Sequence, residues 1–247
     1  MAISVPELFI LVAAVIVSGL VRGFSGFGTA MVFLPVAGRV VDPFSAILIL
    51  VVMDLFGPIP LLPRALRDGA MREVGWLFAA MAVSLPFGLW LLSIVEPEVF
   101  RWAVSLTIFG LLACLIGGLR HSLPFTPPTL LGAGVVSGVL GGLAGLAGPP
   151  IVLLYLASQR ATEVIRANTL VFLVGVDIAL LVVLAAFGRF ELSMALIGLI
   201  LFPPYALAGL VGQRLFDPSR ARLYRNVAYS VVGVAALQGL PVWDGML

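Results

Sequence analysis

The chain has 247 residues, of which 62% are apolar and only 11% charged, and its formal net charge is +2. Soluble domains average about 45–50% apolar and about 25% charged residues, so the composition excludes a soluble domain and indicates an integral membrane protein. The small net charge gives no reason to expect binding of nucleic acid. A single cysteine, Cys114, and a single histidine, His121, exclude disulfides and Cys- or His-based metal sites, and we expect no cofactor.

Ten apolar segments of helical length follow one another, without the alternation of a β-barrel. They cover residues 8–22, 28–40, 44–62, 74–95 and 101–119, and then 128–143, 148–158, 166–187, 192–213 and 222–240. Residues 28–40 and 148–158 reach only roughly 17–20 Å, less than the roughly 30 Å apolar layer. Each short segment is therefore a tilted short crossing or part of a re-entrant hairpin. Because no Lys or Arg precedes the first segment, we expect a permanent helix and not a signal peptide.

The two halves of the chain resemble each other. VSGLVRGFSGFGTAMVFLPV (17–36) aligns without a gap with VSGVLGGLAGLAGPPIVLLY (136–155), with six of twenty positions identical. Further along, and with small insertions, Asp54 aligns with Asp177 and LPFGL (85–89) with PPYAL (203–207). We therefore predict a duplication, with one repeat at 1–120, a cytoplasmic linker at 121–127 and a second repeat at 128–247, each of about five helical segments.

The arginines predict the orientation of the repeats. Three of them, Arg39, Arg101 and Arg189, fall on one side of the predicted spans, and ten fall on the other. By the positive-inside rule the side with ten is cytoplasmic, so both termini lie outside and the repeats have inverted topology. The predicted location is the bacterial inner membrane.

Glycine-rich stretches interrupt corresponding segments of both repeats. Inverted repeats with such interruptions are a transporter architecture, with the site near the midplane where the halves meet. Glycine permits the dihedral angles of a break, and the free N–H groups that begin the next half-helix suit an anion. We therefore predict an anion between the two breaks, whereas Gly19 and Gly138 are assigned to helix packing. The predicted site residues are Gly23, Ser25, Gly26, Gly28 and Thr29 in the first stretch and Gly142, Gly145, Gly148 and Pro149 in the second.

Four other polar residues have two interpretations each. Asp54 and Asp177 each lie in an apolar span, where a carboxylate is costly unless it is paired or hydrated. They form a proton-coupling pair, or they cap a helix or pair with Arg22. Arg22 is a counter-charge for the anion or a snorkelling side chain. Asn168 donates to the substrate, or it caps or packs a helix.

One short motif is typical of an enzyme. GFSG (23–26) matches the serine motif of rhomboid-type intramembrane proteases, but a serine nucleophile needs a base within reach. The only histidine, His121, falls in the linker, and Ser25 aligns with Ala144. We therefore expect no enzyme. The sequence also lacks a P-loop, which favours a secondary transporter over an ATPase.

GFSGFGTAMVFLPV, its partner GGLAGLAGPPIVLLY and the spans behind each resemble the sulfite exporter TauE/SafE family. The resemblance covers nearly the whole chain. It implies two related halves, a substrate path lined by residues 23–29 and 142–150, and export of sulfite or a short organosulfonate. We expect coupling to protons; the alternatives are a passive anion channel or an importer of sulfate- or thiosulfate-type anions. The expected partners are a small anion, protons and the bilayer, with a homodimer as one possible assembly.

Overall fold

The computed structural model describes residues 4–26, 28–117, 125–156, 158 and 160–243. Throughout these ranges the regular structure is helical and contains no strand, which confirms the predicted all-α fold. The helices are α1 (Val5–Ser25), α2 (Thr29–Ala37), α3 (Pro43–Leu55), α4 (Leu62–Asp68), α5 (Met71–Ile94), α6 (Pro97–Ile116), α7 (Pro127–Ala144), α8 (Gly148–Leu156), α9 (Thr162–Ala186), α10 (Leu192–Leu215) and α11 (Ala221–Gly239). Most of the predicted linker, with His121, lies outside the described residues.

Six helices of the described ranges are long and apolar enough to cross a membrane: α1, α5, α6, α7, α9 and α10. A seventh span results if α3 is joined to the bent helical segment Ile59–Asp68, which turns by 46°. The sequence predicted one continuous segment over 44–62, and that prediction was wrong. The helix ends at Leu55 because Gly57 and Pro58 follow, and the residue before a proline is disfavoured in helical conformation. Asp54 is consequently in the last turn of α3, just before this bend.

The helices are interrupted in both glycine-rich stretches. α1 ends at Ser25, and Gly26 and Gly28 adopt φ angles of 79° and 106° before α2 begins. α7 ends at Ala144, and Gly145 adopts φ 66° before α8 begins. The 21 residues of α1 extend about 31 Å at 1.5 Å per residue, which alone matches the apolar layer. A midplane position for the breaks stays a prediction.

The chain forms two compact units, and each draws on both predicted repeats. Unit 1 comprises residues 1–54, 96–112 and 191–247, and unit 2 comprises residues 55–95 and 113–190. Unit 1 thus contains α1, α2, α10 and α11 with most of α3 and α6, whereas unit 2 contains α4, α5 and α7–α9. The predicted duplication divides the chain into an N-terminal and a C-terminal half, whereas the contacts group helices from both halves into each unit.

In unit 1, α1 packs against α10 through glycines. A Cβ atom added at Gly19 would lie 2.6 Å from the Tyr205 carbonyl oxygen, and one added at Gly23 would lie 2.8 Å from the Gly212 Cα. Neither position has room for a side chain. Removing Cβ lets two membrane helices approach closely enough for backbone packing, so the two glycines bring α10 against the last turns of α1.

In unit 2, α7 packs against α5 in the same way. Cβ atoms added at Gly134, Gly138 and Gly142 would clash with the α5 backbone around Leu77, Met81 and Leu85. The buried Ser84 hydroxyl donates to the Val135 carbonyl at 3.1 Å and joins the two helices. The packing role predicted for Gly19 and Gly138 is confirmed, and it extends to Gly23 and Gly142, which lie inside their helices one turn before each break.

Candidate functional site

The interruption in unit 1 leaves the start of α2 without a side-chain cap. The Gly26 N–H closes α1 by donating to the Arg22 carbonyl at 2.8 Å, and the Val32 N–H donates to the Gly28 carbonyl at 3.0 Å. Gly28 is the N-cap of α2 and provides no side-chain hydrogen bond. The first N–H groups of a helix have no partner within the helix and carry partial positive charge, so α2 begins with donors that suit an anion.

Four side chains form a closed hydrogen-bonded ring beside this interruption. The Arg22 guanidinium donates through Nη1 to Asp54 Oδ2 at 2.8 Å and to Thr29 Oγ1 at 3.2 Å. The Tyr205 hydroxyl donates to Asp54 Oδ1 at 2.6 Å, and it lies 2.8 Å from the Thr29 hydroxyl. We call Arg22, Thr29, Asp54 and Tyr205 the polar ring.

The direction of each hydrogen bond in the polar ring follows from the number of hydrogens. A tyrosine hydroxyl carries one hydrogen, and Tyr205 donates it to Asp54. Thr29 must therefore be the donor in its bond to Tyr205, while it accepts from Arg22. The bonds therefore run from Arg22 to Asp54 by two routes, one direct and one through Thr29 and Tyr205, and Asp54 receives two charge-assisted bonds.

The polar ring is buried at the hydroxyls and partly accessible at the charges. Thr29 and Tyr205 are buried, whereas 29% of the Arg22 side chain and 15% of the Asp54 side chain are exposed. The ring therefore pairs an accessible cation with an internal carboxylate that balances its charge.

Ser25 uses its hydroxyl within its own helix. Its Oγ donates to the Val21 carbonyl at 2.6 Å, a back-bond to residue i−4 that is common for serine in helices. Donation to an anion, as predicted from the sequence, would require this bond to break.

The interruption in unit 2 is held by a buried serine. The Ser137 hydroxyl of α7 donates to the Ala147 carbonyl at 2.5 Å, inside the break itself. Gly148 and Pro149 form the first turn of α8, where a proline loses no intrahelical bond. In this unit the serine satisfies a backbone acceptor of the break, whereas in unit 1 charged groups lie beside it.

Asn168 has three partners in unit 2 and is fully buried. Its Oδ1 accepts from the Ala70 N–H at 2.7 Å, at the start of α5, and its Nδ2 donates to the Tyr155 hydroxyl at 2.8 Å and to Glu73 Oε2 at 3.3 Å. The amide thus caps α5 and ties α8 to α9. These bonds support the capping interpretation of Asn168.

Comparison with known proteins identifies the family. The sequence model described as "Sulfite exporter TauE/SafE" matches residues 11–239, nearly the whole chain. The chain belongs to the sulfite exporter TauE/SafE family. A curated relative from Cupriavidus necator, the "Probable sulfite/organosulfonate exporter TauE", is 26% identical over 228 residues, which cover 88% of each chain. No solved structure matches the chain.

In this TauE/SafE chain the predicted site residues fall in both units. The structure brings together Arg22, Thr29 and Asp54, and it places Gly26 and Gly28 in the adjoining break. Asp177 lies in α9 of unit 2 and is partly buried. Asp54 and Asp177, which the sequence treated as a pair, belong to different compact units.

Tyr205 is the member of the polar ring that sequence reasoning missed. It appeared only as part of PPYAL in the alignment of the repeats, where its partner in LPFGL is a phenylalanine. The chain has only four tyrosines, and one in the middle of an apolar helix needs a hydrogen-bond partner when buried. That requirement was the available signal. Glu73 and Arg160, which form an ion pair in unit 2, were also missed.

Proposed function

We propose that this TauE/SafE member is a secondary transporter that exports sulfite or a short organosulfonate across the inner membrane. The family and the named function of the Cupriavidus relative support the substrate class. The observation that carries the proposal is the polar ring beside an uncapped helix start: Arg22 donates to Thr29 at the first residue of α2. Such donors suit an oxyanion.

In the proposed binding mode the anion lies between the Arg22 guanidinium and the first turn of α2. The guanidinium presents N–H donors in a planar fork that fits two oxygens of an oxyanion at once. Backbone N–H groups around Gly28 and Thr29 add donors, and the helix start adds partial positive charge. Sulfite and sulfonate both present oxygens at tetrahedral angles around sulfur, so the same donors serve both.

Proton coupling is proposed to act through Asp54. While Asp54 is ionised, it accepts from Arg22 and Tyr205 and neutralises the guanidinium. A proton on Asp54 would remove that charge and turn the carboxyl group into a donor toward Tyr205. Tyr205 would then donate to Thr29, and the Thr29 hydrogen would be free for the anion. Protonation of Asp54 would thus leave the Arg22 charge unbalanced and the Thr29 hydroxyl able to donate, and both would favour the anion.

The remaining predicted residues keep a proposed role in the same function. Gly142, Gly145, Gly148 and Pro149 would line the substrate path in unit 2, and Asp177 would be a second proton site. The inverted arrangement of the two repeats, with both termini outside, is likewise part of the proposal. The break, the cation and the carboxylate of unit 1 support the proposal without that inverted arrangement.

The proposal is tested with purified protein in two assays. Thermal melting with sulfite, thiosulfate, sulfoacetate, taurine or sulfate should show stabilisation by sulfite or sulfoacetate. Efflux of the stabilising anion from proteoliposomes should saturate and depend on pH. In Asp54→Asn, which mimics the protonated form, we expect anion stabilisation to persist and its pH dependence to disappear.

Other outcomes separate the alternatives. Flux that does not saturate and ignores an imposed pH gradient would indicate a passive channel. Uptake of sulfate or thiosulfate in preference to sulfite would indicate an importer. Full pH dependence in both Asp54→Asn and Asp177→Asn would rule out these carboxylates as the coupling groups. If none of the anions changes the melting temperature or crosses the membrane, the proposed function is wrong.

A further inference from the structure

Unit 1 carries an apolar groove that the proposed transport site does not use. It has a volume of about 460 Å³ and lies between α1, α2 and α11, within the roughly 300–1,000 Å³ range of small-molecule sites. Aliphatic side chains line most of it, among them Ile10 and Val17 of α1 and Val32 and Val36 of α2. In the described part of the chain, no member of the polar ring is among its lining residues.

The lining residues of the groove extend along its helices. On α11 its lining runs from Ser230 to Gln238, eight residue steps or about 12 Å at 1.5 Å per residue. Half of the roughly 30 Å apolar layer is about 15 Å. A groove of this length therefore matches the depth of one bilayer leaflet.

One end of the groove bears features of the membrane–water interface. Arg39 is exposed, and its Nη1 donates to the carbonyl of Gln238 at 3.2 Å. The half-exposed Trp243 donates through Nε1 to the Leu237 carbonyl at 2.7 Å. Tryptophan is enriched at the level of the lipid head groups. The guanidinium has five N–H donors, so the bond to Gln238 leaves donors for another group.

We propose that this groove binds one acyl chain of an anionic phospholipid and that Arg39 binds its phosphate. An apolar groove one leaflet deep with a cation at its interfacial end is complementary in length and charge to such a lipid. A helix from a second copy fits less well. A helix is about 10–12 Å across, so 12 Å of it fills on the order of 1,000 Å³, about twice the groove.

Native mass spectrometry of the full-length protein tests the proposal. The protein is equilibrated in detergent with dioleoylphosphatidylglycerol or with the zwitterionic dioleoylphosphatidylcholine, and the lipid retained per chain is counted. A basic side chain near the surface favours an anionic lipid by about fivefold, so wild type should retain one phosphatidylglycerol with that preference. Arg39→Gln should remove the preference, whereas Arg225→Gln, an exposed arginine at the other end of α11, should keep it.

A second variant tests the groove itself. Val234 lines the groove and is 53% exposed, so Val234→Trp should fill the space without entering the core and should remove the retained lipid. Unchanged retention in Val234→Trp, or equal preference in wild type and Arg39→Gln, would overturn the proposal. Loss of a dimer in Val234→Trp with unchanged lipid retention would assign the groove to a second copy and overturn it too. If Val234→Trp does not fold, the comparison of the two arginine variants decides.

Discussion

In unit 1 the interruption between α1 and α2 is bordered by a guanidinium, a carboxylate and two hydroxyls, whereas in unit 2 the interruption between α7 and α8 is held by the Ser137 hydroxyl. Both helices end at a glycine with positive φ, Gly26 and Gly145. The same backbone device therefore occurs with different chemistry around it. Glycine sets where a helix breaks, and side chains from other helices decide what the break can bind.

The source of those side chains differs as well. In unit 1 the ring takes Asp54 from the last turn of α3 and Tyr205 from α10, which packs on α1 through Gly19 and Gly23. In unit 2 the buried polar residue Asn168 lies on α9 and bonds to Ala70 at the start of α5. The hydrogen bonds of Asn168 thus stabilise the start of a helix. We therefore expect substitutions in the polar ring to change anion binding and substitutions at Asn168 and its partners to change stability alone.

The largest expected effect is that of Arg22→Gln. The variant removes charge-assisted hydrogen bonds worth about 1.5–3 kcal/mol each, so we expect anion affinity and flux to fall by about 10- to 150-fold. The measurements are anion-induced thermal stabilisation and efflux from proteoliposomes.

Two companion variants make the Arg22 result specific. Arg22→Gln alone leaves the partly buried Asp54 carboxylate without its charged partner and should lower stability. Arg22→Gln combined with Asp54→Asn removes both charges, so it should recover that stability but not anion binding. Arg225→Gln should behave as wild type. Anion binding that survives in Arg22→Gln would place the site away from the polar ring.

A second prediction concerns the two kinds of glycine in the first stretch. Gly23→Ala forces a Cβ against the α10 backbone, and such overpacking destabilises by about 1–3 kcal/mol. A Cβ at Gly26 would meet no atom of the described residues within 4 Å, its chain neighbours aside. Gly26→Ala should therefore cost only the energy of an alanine in the left-handed conformation, about 1–2 kcal/mol.

Helix association distinguishes the two glycine variants, because only Gly23→Ala should separate α1 from α10. Cysteine pairs across these helices, with Cys114 replaced by alanine, would report it by their cross-linking yield. Equal cross-linking yields in Gly23→Ala and wild type would mean that Gly23 is not needed for packing α1 on α10 and would assign it to the break.

The positions of both breaks could be read from the sequence, because each glycine stretch is followed by an apolar segment too short to cross the membrane, and glycine readily adopts positive φ. Three of the polar ring's residues, Arg22, Thr29 and Asp54, stood out as polar groups in apolar surroundings. The hydrogen-bonded ring that joins them could not be predicted, because it depends on Tyr205, a residue 151 positions from Asp54. The grouping of helices into units also could not be predicted, since α1 and α10 meet through glycines that carry no sign of their partner.

A third prediction compares the two buried tyrosines. Tyr205→Phe removes bonds to Asp54 and Thr29, and Tyr155→Phe removes the acceptor of Asn168. Each lost bond costs about 0.5–1.5 kcal/mol, so both variants should melt at lower temperature. Only Tyr205→Phe should also weaken the pH dependence of efflux, because it interrupts the path from Asp54 to Thr29. Altered pH dependence in Tyr155→Phe as well would remove the functional distinction between the two units.

The smallest expected effect is that of Ser25→Ala. Its hydroxyl donates to the Val21 carbonyl of its own helix, and an i−4 back-bond adds little to helix stability. We expect stability within about 0.5 kcal/mol of wild type and unchanged anion affinity. Ser137→Ala is the matched control, because it leaves the buried Ala147 carbonyl without its donor and should cost about 1–3 kcal/mol. A Ser25→Ala variant that folds like wild type but binds the anion tenfold more weakly would mean that the hydroxyl turns from Val21 toward the substrate, as the sequence alone suggested.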